Sequence, residues 1–101
     1  MLTSKQRAYL RGLANTIDTI LIVGKSEIGD NIIKQADDAL RAREIIKGKV
    51  LENSGYSSRE AAELIAEKCN ADVVQVIGSK FILYRMNEDE PVIVLPKAKK
   101  K

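Results

Sequence analysis

The feature that most constrains the fold is a pair of mostly apolar runs, residues 73–77 and 81–85, with only Gly78-Ser79-Lys80 between them. So short a link cannot hold a helix, and two strands joined by it must pair as an antiparallel hairpin. A glycine first in the link is what a type II′ turn needs, because that position has a positive φ. Any fold of this chain must therefore accommodate this hairpin.

Two capping boxes predict helices on either side of the centre of the chain. Thr3 with Gln6 has the form of a capping box, which predicts a helix over about residues 4–14. Ser57 with Glu60 has the same form and predicts a helix that starts near residue 58. Each box satisfies backbone amides that a helix start otherwise leaves free.

Two strands and one more helix are predicted between these two helices. The mostly β-branched run 19–23, closed by Gly24, predicts a buried strand, and Ser26 can cap a helix over residues 27–42. Residues 45–51 alternate as a second strand. The crossover rule then makes the first three strands parallel, and the hairpin makes the last one antiparallel. We expect an α/β protein with a two-layer α-β-α-β-α-β-β fold and a four-stranded mixed sheet.

The composition predicts one soluble domain in a reducing compartment. A chain of 101 residues suffices for one core, and we assign residues 1–96 to the domain and 97–101 to a disordered basic tail. We find no secretory signal and no apolar run long enough to cross a bilayer. The single Cys69 is predicted to lie on the buried face of a helix. We expect a cytoplasmic protein with no membrane partner.

The net charge of +3 depends on the tail, because residues 96–101 hold four of the seventeen basic groups. The remaining thirteen basic and fourteen acidic residues give the body a net charge of −1. The distribution is more informative, since no acid precedes Asp18 and the second strand turns two lysines to one face. The cations expected on this basic side are Lys5, Arg7, Arg11, Lys47 and Lys49.

The residues needed for most catalysis are missing. The chain has no histidine and one cysteine, so neither a common zinc site nor a Ser-His or Cys-His pair can be assembled. Gly24-Lys25-Ser26 resembles the end of a P-loop, but the position five before Gly24 is Thr19, within a strand. We expect no enzyme, no cofactor and no small-molecule substrate. Whether the Gly24 turn binds an anion or only permits close packing stays open.

The hairpin tip has features that turn geometry alone does not require. A glycine there is explained by the backbone, but Lys80 at the tip and Arg85 on the next strand are not. Aromatic residues are few, which disfavours a base-stacking platform. Recognition of a nucleic acid should therefore rest on phosphates and shape, with a strong dependence on salt.

Four stretches of the sequence carry a resemblance to a known family. They are LTSKQR with LRGLA (2–7 and 10–14), VGK (23–25), EIIKGKV (44–50) and VQVIGSKFILYR (74–85). In this order and spacing they resemble the CRM domain (chloroplast RNA splicing and ribosome maturation), in particular the single-domain YhbY-like proteins of bacteria and archaea. The resemblance spans residues 2–97.

The resemblance implies a fold similar to the C-terminal domain of translation initiation factor three. It also implies binding of structured RNA and association with precursors of the large ribosomal subunit. CRM domains contact RNA through a GxxG loop between the last two strands, next to a basic surface. Here the loop reads Gly78-Ser79-Lys80-Phe81, with phenylalanine in place of the second glycine, so a tighter loop is expected.

We therefore expect an RNA-binding protein that acts on ribosomal RNA. Two alternatives stay open: a nucleic-acid-binding chromatin protein of the Alba type, and a protein-interaction module that uses the acidic face of the middle helices. The residues expected to contact RNA are Lys5, Arg7, Arg11, Gly24, Lys25, Lys47, Lys49, Gly78, Ser79, Lys80 and Arg85.

Overall fold

The computed structural model describes residues 2–24, 28–87, 89 and 93. Its elements are α1 (Ser4–Ala14), β1 (Thr19–Val23), α2 (Asp30–Arg43), β2 (Ile45–Val50), α3 (Ser58–Cys69), β3 (Asp72–Ile77) and β4 (Lys80–Tyr84). The predicted α/β class and element order are confirmed. None of the helices within these residues is long and apolar enough to cross a membrane.

The four strands form one sheet in the order β1-β2-β4-β3. β1 is parallel to β2, and β4 is antiparallel to both of its neighbours. β1, β2 and β3 therefore run in one direction and β4 in the other, as the crossover rule predicts. The last strand of the hairpin inserts between β2 and β3, so β4 is central and β1 and β3 are the edges.

Both capping boxes are present, at Thr3 for α1 and at Ser57 for α3. The predicted start of the second helix is wrong. α2 begins at Asp30 after an extended Gly29 that provides no side-chain cap. The preceding Ile28 amide points instead toward the Tyr56 hydroxyl at 3.5 Å, and the Ile28 side chain packs against the core. The predicted cap, Ser26, lies outside the described residues.

The sheet is covered by helices on both faces, but unequally. α2 and α3 pack on one face around a core that includes Leu40, Ile65 and Phe81. These two helices and the sheet form two layers, and the predicted two-layer description leaves out α1. α1 lies on the opposite face, where Leu10 and a few neighbours bury residues such as Ile82. Because α1 is short, it leaves part of that face open.

The β3–β4 turn consists of two residues, Gly78 and Ser79. Gly78 has a φ of +56°, and the φ of Ser79 is not positive. A type I′ turn would require a positive φ at both residues, so the turn has the type II′ pattern. The Ser58 hydroxyl donates to the Gly78 carbonyl at 2.6 Å, and the Val50 amide donates to the Ser79 carbonyl at 2.7 Å. The turn is thereby attached to both α3 and β2.

Phe81, which occupies the second glycine position of the GxxG pattern, belongs to the core. It is fully buried and lies directly opposite Gly48 of β2. A Cβ atom on Gly48 would come within 2.3 Å of the ring Cζ atom, so the ring occupies the space that a side chain would need. Gly48 thus allows a large aromatic to fill the centre of the sheet.

Glu44 anchors the chain that follows β4. It is fully buried between α2 and β2, with φ +66°. Its carboxylate accepts hydrogen bonds from the amides of Asn87 at 2.7 Å and Ile93 at 2.6 Å. Its carbonyl accepts one from the Arg85 amide at 2.8 Å. One acidic side chain therefore binds the backbone at Asn87 and at Ile93.

Candidate nucleic-acid interface

The part of the sheet that α1 leaves open carries three lysines. Lys49 lies opposite Lys80, with Ile22 and Ile77 at the two ends of the same cross-strand row. The next row toward α1 contains Lys47, Ile82 and Gln75. We call the exposed part of these two rows the basic sheet face. It consists of Ile22, Lys47, Lys49, Gln75, Ile77 and Lys80.

The alternation of strand side chains explains how this face arises. Neighbouring residues of a strand point to opposite faces. In β2, Ile46 and Gly48 meet the core beneath α2 and α3, so Lys47 and Lys49 must point to the other side. In β4, burial of Phe81 places Lys80 on that side as well.

The lysines of this face are not neutralised by ion pairs with other described residues. Lys49 and Lys80 are directly opposite each other, and like charges in cross-strand pairs destabilise a sheet. None of the three lysines forms an ion pair within the described parts of the chain, and residues 45–50 and 73–85 contain no acid. An external anion would therefore lower the free energy of this surface.

The opposite layer of the molecule shows the contrast. The ion pairs recorded in the described structure all involve α2 or α3. They are Lys34–Asp38, Arg41–Asp37, Arg59–Glu63 and Arg85–Asp37. The cations of the helical layer are thus partly compensated by neighbouring carboxylates, while those of the sheet face are not.

A small concavity adjoins the basic sheet face where α1 ends. It has a volume of about 100 Å³ and opens to solvent. Its apolar lining comes from Ala14, Ile77 and Ile82, and its polar lining from Asn15, Gln75, Lys47 and Lys80. The face thus combines cations with an indentation that is partly apolar.

The predicted cations of α1 have different environments. Lys5 is exposed and Arg11 is half-buried. The Arg7 guanidinium donates to the carbonyl of Val73, and to that of Val74 at 3.5 Å. These carbonyls lie where the β3–β4 register shifts, which disrupts the ladder locally. Arg7 therefore attaches α1 to the edge of the sheet, and a phosphate contact from any of the three cations stays a prediction.

Arg85 does not join the basic sheet face. Lys80 and Arg85 are five positions apart, so the alternation of β4 directs them to opposite sides. The guanidinium of Arg85 donates to the Asp37 carboxylate and to the Cys69 carbonyl, both at 2.7 Å, and its side chain is 23% exposed. Arg85 connects β4 to the helical layer. A role for it in RNA contact has no support from this geometry.

The Arg85 hydrogen bond holds the pKa of Asp37 below its ordinary value, against the smaller effect of burial. A lowered folded-state pKa contributes stability above the unfolded-state pKa, and that contribution is lost as the pH falls through the folded-state value. We expect Asp37→Asn to reduce the free energy of unfolding at pH 7 by on the order of 1 kcal/mol. The deficit should shrink below about pH 4.

Urea unfolding at pH 7 and at pH 3 measures this effect. Asp38→Asn is the matched control, because Asp38 pairs with the exposed Lys34 at 3.4 Å and with no other residue that the structure describes. It should change stability little at either pH. A deficit for Asp37→Asn of equal size at both pH values would contradict the assignment.

The remaining predicted residues lie at the end of the sheet where β1, β2 and β3 finish. Gly24 follows β1 beside the end of β2, where the Leu51 amide donates to the Val23 carbonyl at 2.9 Å. The Gly78–Ser79 turn reaches the same end of the sheet through its hydrogen bond with Val50. The structure thus brings Gly24 and the turn near Lys49 and Lys80, while Lys25 lies outside the described residues.

Sequence reasoning missed the uncharged members of this surface. Asn15 follows the end of α1, and Gln75 interrupts an otherwise apolar strand. A polar residue in the middle of such a run is a signal that could have been used. Ile22 and Ile77, which are 45% and 60% exposed, carried no such signal, because both read as core residues of strands.

A small α/β domain with an uncompensated basic sheet face is equipped to bind a polyanion. The sequence model of the CRS1 / YhbY (CRM) domain matches residues 2–85, and the chain belongs to this family. The resemblance predicted from the four stretches is confirmed.

Several relatives support the same assignment. The chain is 40% identical over 96 residues to "Probable RNA-binding protein YqeI" of Bacillus subtilis, which covers 95% of this chain and 100% of that one. It is 36% identical to "Probable RNA-binding protein MJ0652" of Methanocaldococcus jannaschii, over 99% of this chain and 75% of that one. The sequence of the hypothetical protein SAV1595 from Staphylococcus aureus is 47% identical to this chain. Its solution structure superposes with a TM-score of 0.79 over 95% of this chain and 100% of that one. Fold and family are therefore shared with proteins named for RNA binding.

Proposed function

We propose that this protein binds structured RNA through the basic sheet face and acts on ribosomal RNA in precursors of the large subunit. The observation that carries the proposal is the Lys49–Lys80 pair, two like charges that lie side by side and form no ion pair with another described residue. Such a pair is unfavourable in the free protein and favourable against a row of phosphates. The names of the relatives favour RNA as the polyanion.

The geometry suits contact with one stretch of backbone. Paired residues of an antiparallel ladder lie about 5 Å apart, so long lysine side chains on neighbouring strands can reach successive phosphates. The attached Gly78–Ser79 turn and Gly24 border the same surface and allow close approach of the backbone. These contacts position the RNA without reading its sequence.

The role proposed is binding without chemistry. Cys69, the nucleophile of greatest intrinsic reactivity in the chain, is buried, and burial raises the pKa of its thiol. A buried thiol with a raised pKa is a poor nucleophile. The unpaired cations of the sheet face therefore suit recognition of an anion better than they suit a reaction.

Association with ribosomal particles tests the finer part of the proposal. After gradient fractionation of cell lysate, we expect the protein in fractions that contain large-subunit precursors, and we expect nuclease treatment to release it. A protein that stays at the top of the gradient would refute the ribosomal role. Binding that survives nuclease would favour a protein-interaction module, and an equal preference for duplex DNA in competition would favour an Alba-like role.

A further inference from the structure

We propose that the concavity at the end of α1 binds a single unpaired base, so that this protein selects RNA with an extruded nucleotide beside a helix. The inference rests on the proposed function and names the kind of RNA that the face accepts. It starts from the apolar part of the concavity, which binding of phosphates does not explain. Phosphates alone would require cations but no apolar indentation.

The lining fits the chemistry of a nucleobase. A base has apolar faces and hydrogen-bonding edges, and RNA-binding proteins read bases that are splayed out of the helix. In the concavity, Ala14, Ile77 and Ile82 can contact the apolar faces of a base. The side-chain amides of Asn15 and Gln75 can form hydrogen bonds with its polar edge. Each amide can donate and accept, as an edge requires.

Both amides are available for such contacts. Neither the Asn15 nor the Gln75 side chain has a hydrogen bond to another residue in the described parts of the chain. Ile77 is 60% exposed, so its contact with a base face would remove apolar surface from water. Binding would thus satisfy polar groups and cover an exposed apolar side chain together.

The size and charge of the site specify how the nucleotide lies. A volume of about 100 Å³ is well below the ~300–1,000 Å³ of sites that enclose whole ligands. A ring can enter while the ribose and phosphates stay outside. Lys47 and Lys80 line the same concavity and are placed to meet the flanking phosphates. Fully paired RNA keeps its bases stacked inside the helix and cannot fill the site.

Three hairpin RNAs of matched stem length test the inference. One is fully paired, one carries a single unpaired nucleotide in the stem, and one carries an abasic nucleotide at that position. Fluorescence anisotropy at a fixed salt concentration measures the affinity of each. We expect the unpaired base to bind about tenfold more tightly than its abasic counterpart, as expected for two hydrogen bonds and an apolar contact.

Variants then assign the difference to the site. Asn15→Ala with Gln75→Ala should reduce the tenfold preference to about twofold, and most of the loss should come from weaker binding of the RNA that carries the unpaired base. Gln35→Ala with Asn53→Ala is the matched control, because both amides are exposed and lie away from the concavity. This control should keep the full preference, and circular dichroism would verify the fold of each variant.

The outcomes separate this inference from the function on which it rests. Equal binding of the base and abasic RNAs by the unaltered protein would overturn the base site, while salt-sensitive binding of both would still support the RNA-binding face. Failure to bind any of the RNAs would overturn the proposed function itself. Displacement of the RNAs by micromolar nucleoside monophosphate would indicate a small-molecule site and would also overturn the inference.

Discussion

Replacement of Lys47, Lys49 and Lys80 by alanine is expected to lower the affinity for structured RNA by on the order of a hundredfold at physiological salt. Each lysine that meets a phosphate releases a counterion from the RNA, so removal of three contacts should also flatten the dependence of log K on log salt by about 2 to 3. Binding isotherms between low and moderate salt measure both quantities. The free energy of unfolding should not fall, because the substitutions remove a repulsive cross-strand pair.

The structure provides a control of equal charge. Lys34→Ala, Arg41→Ala and Arg59→Ala remove three exposed cations from the helical layer, each of which is paired with a carboxylate four positions away. The net charge changes by the same amount, yet we expect less than about a threefold loss of affinity. Similar losses in both triple variants would show that the overall charge and not the basic sheet face determines binding.

Gly48→Ala is expected to destabilise the fold by about 2–3 kcal/mol and to lower the Tm by roughly 10–20 °C. The new methyl group would overlap the Phe81 ring, which cannot retreat because it fills the core beneath two helices. Thermal and urea unfolding measure the loss. Gly12→Ala is the control, since a Cβ atom there meets nothing within 4 Å and lies on an exposed helical surface. It should leave stability unchanged or raise it slightly.

A smaller partner should relieve the clash. Phe81→Leu alone removes buried volume and should destabilise the protein. Combined with Gly48→Ala, it should cost less than the sum of the two single changes, with a coupling of about 1 kcal/mol or more. Strictly additive effects would contradict the close packing of these two residues.

Local signals were sufficient to predict most elements of this fold. The capping boxes at Thr3 and Ser57 and the short Gly78 link each define a structure within a few residues, and all three are present. The start of α2 was predicted wrongly because a serine near a helix is a weaker signal than a box. In the structure, α2 begins only after Gly29, and the Ile28 amide faces the Tyr56 hydroxyl, 28 residues away, a contact that no local pattern predicts.

The site was less predictable because it depends on which face each strand turns to the helices. The alternation of β2 correctly predicts that Lys47 and Lys49 share a face. Lys80 and Arg85, which were predicted to act together, lie on opposite faces because residues five apart in an extended strand point in opposite directions. The position of α1 across the sheet, which forms the concavity, follows from long-range packing of Leu10 and from the Arg7 contact. No pattern within α1 itself reveals it.

The central position of β4 in the sheet has a consequence for folding during synthesis. β4 is the last of the four described strands along the chain, yet it separates β2 from β3 and supplies one lysine of the Lys49–Lys80 pair. Until β4 emerges from the ribosome, β3 has no neighbour in the sheet and only β1 and β2 can pair. The nascent chain therefore lacks the assembled basic sheet face, which is the proposed RNA contact, while it is still attached to the RNA-rich particle that makes it. That surface appears only when translation of β4 is complete and the long-range pairing closes.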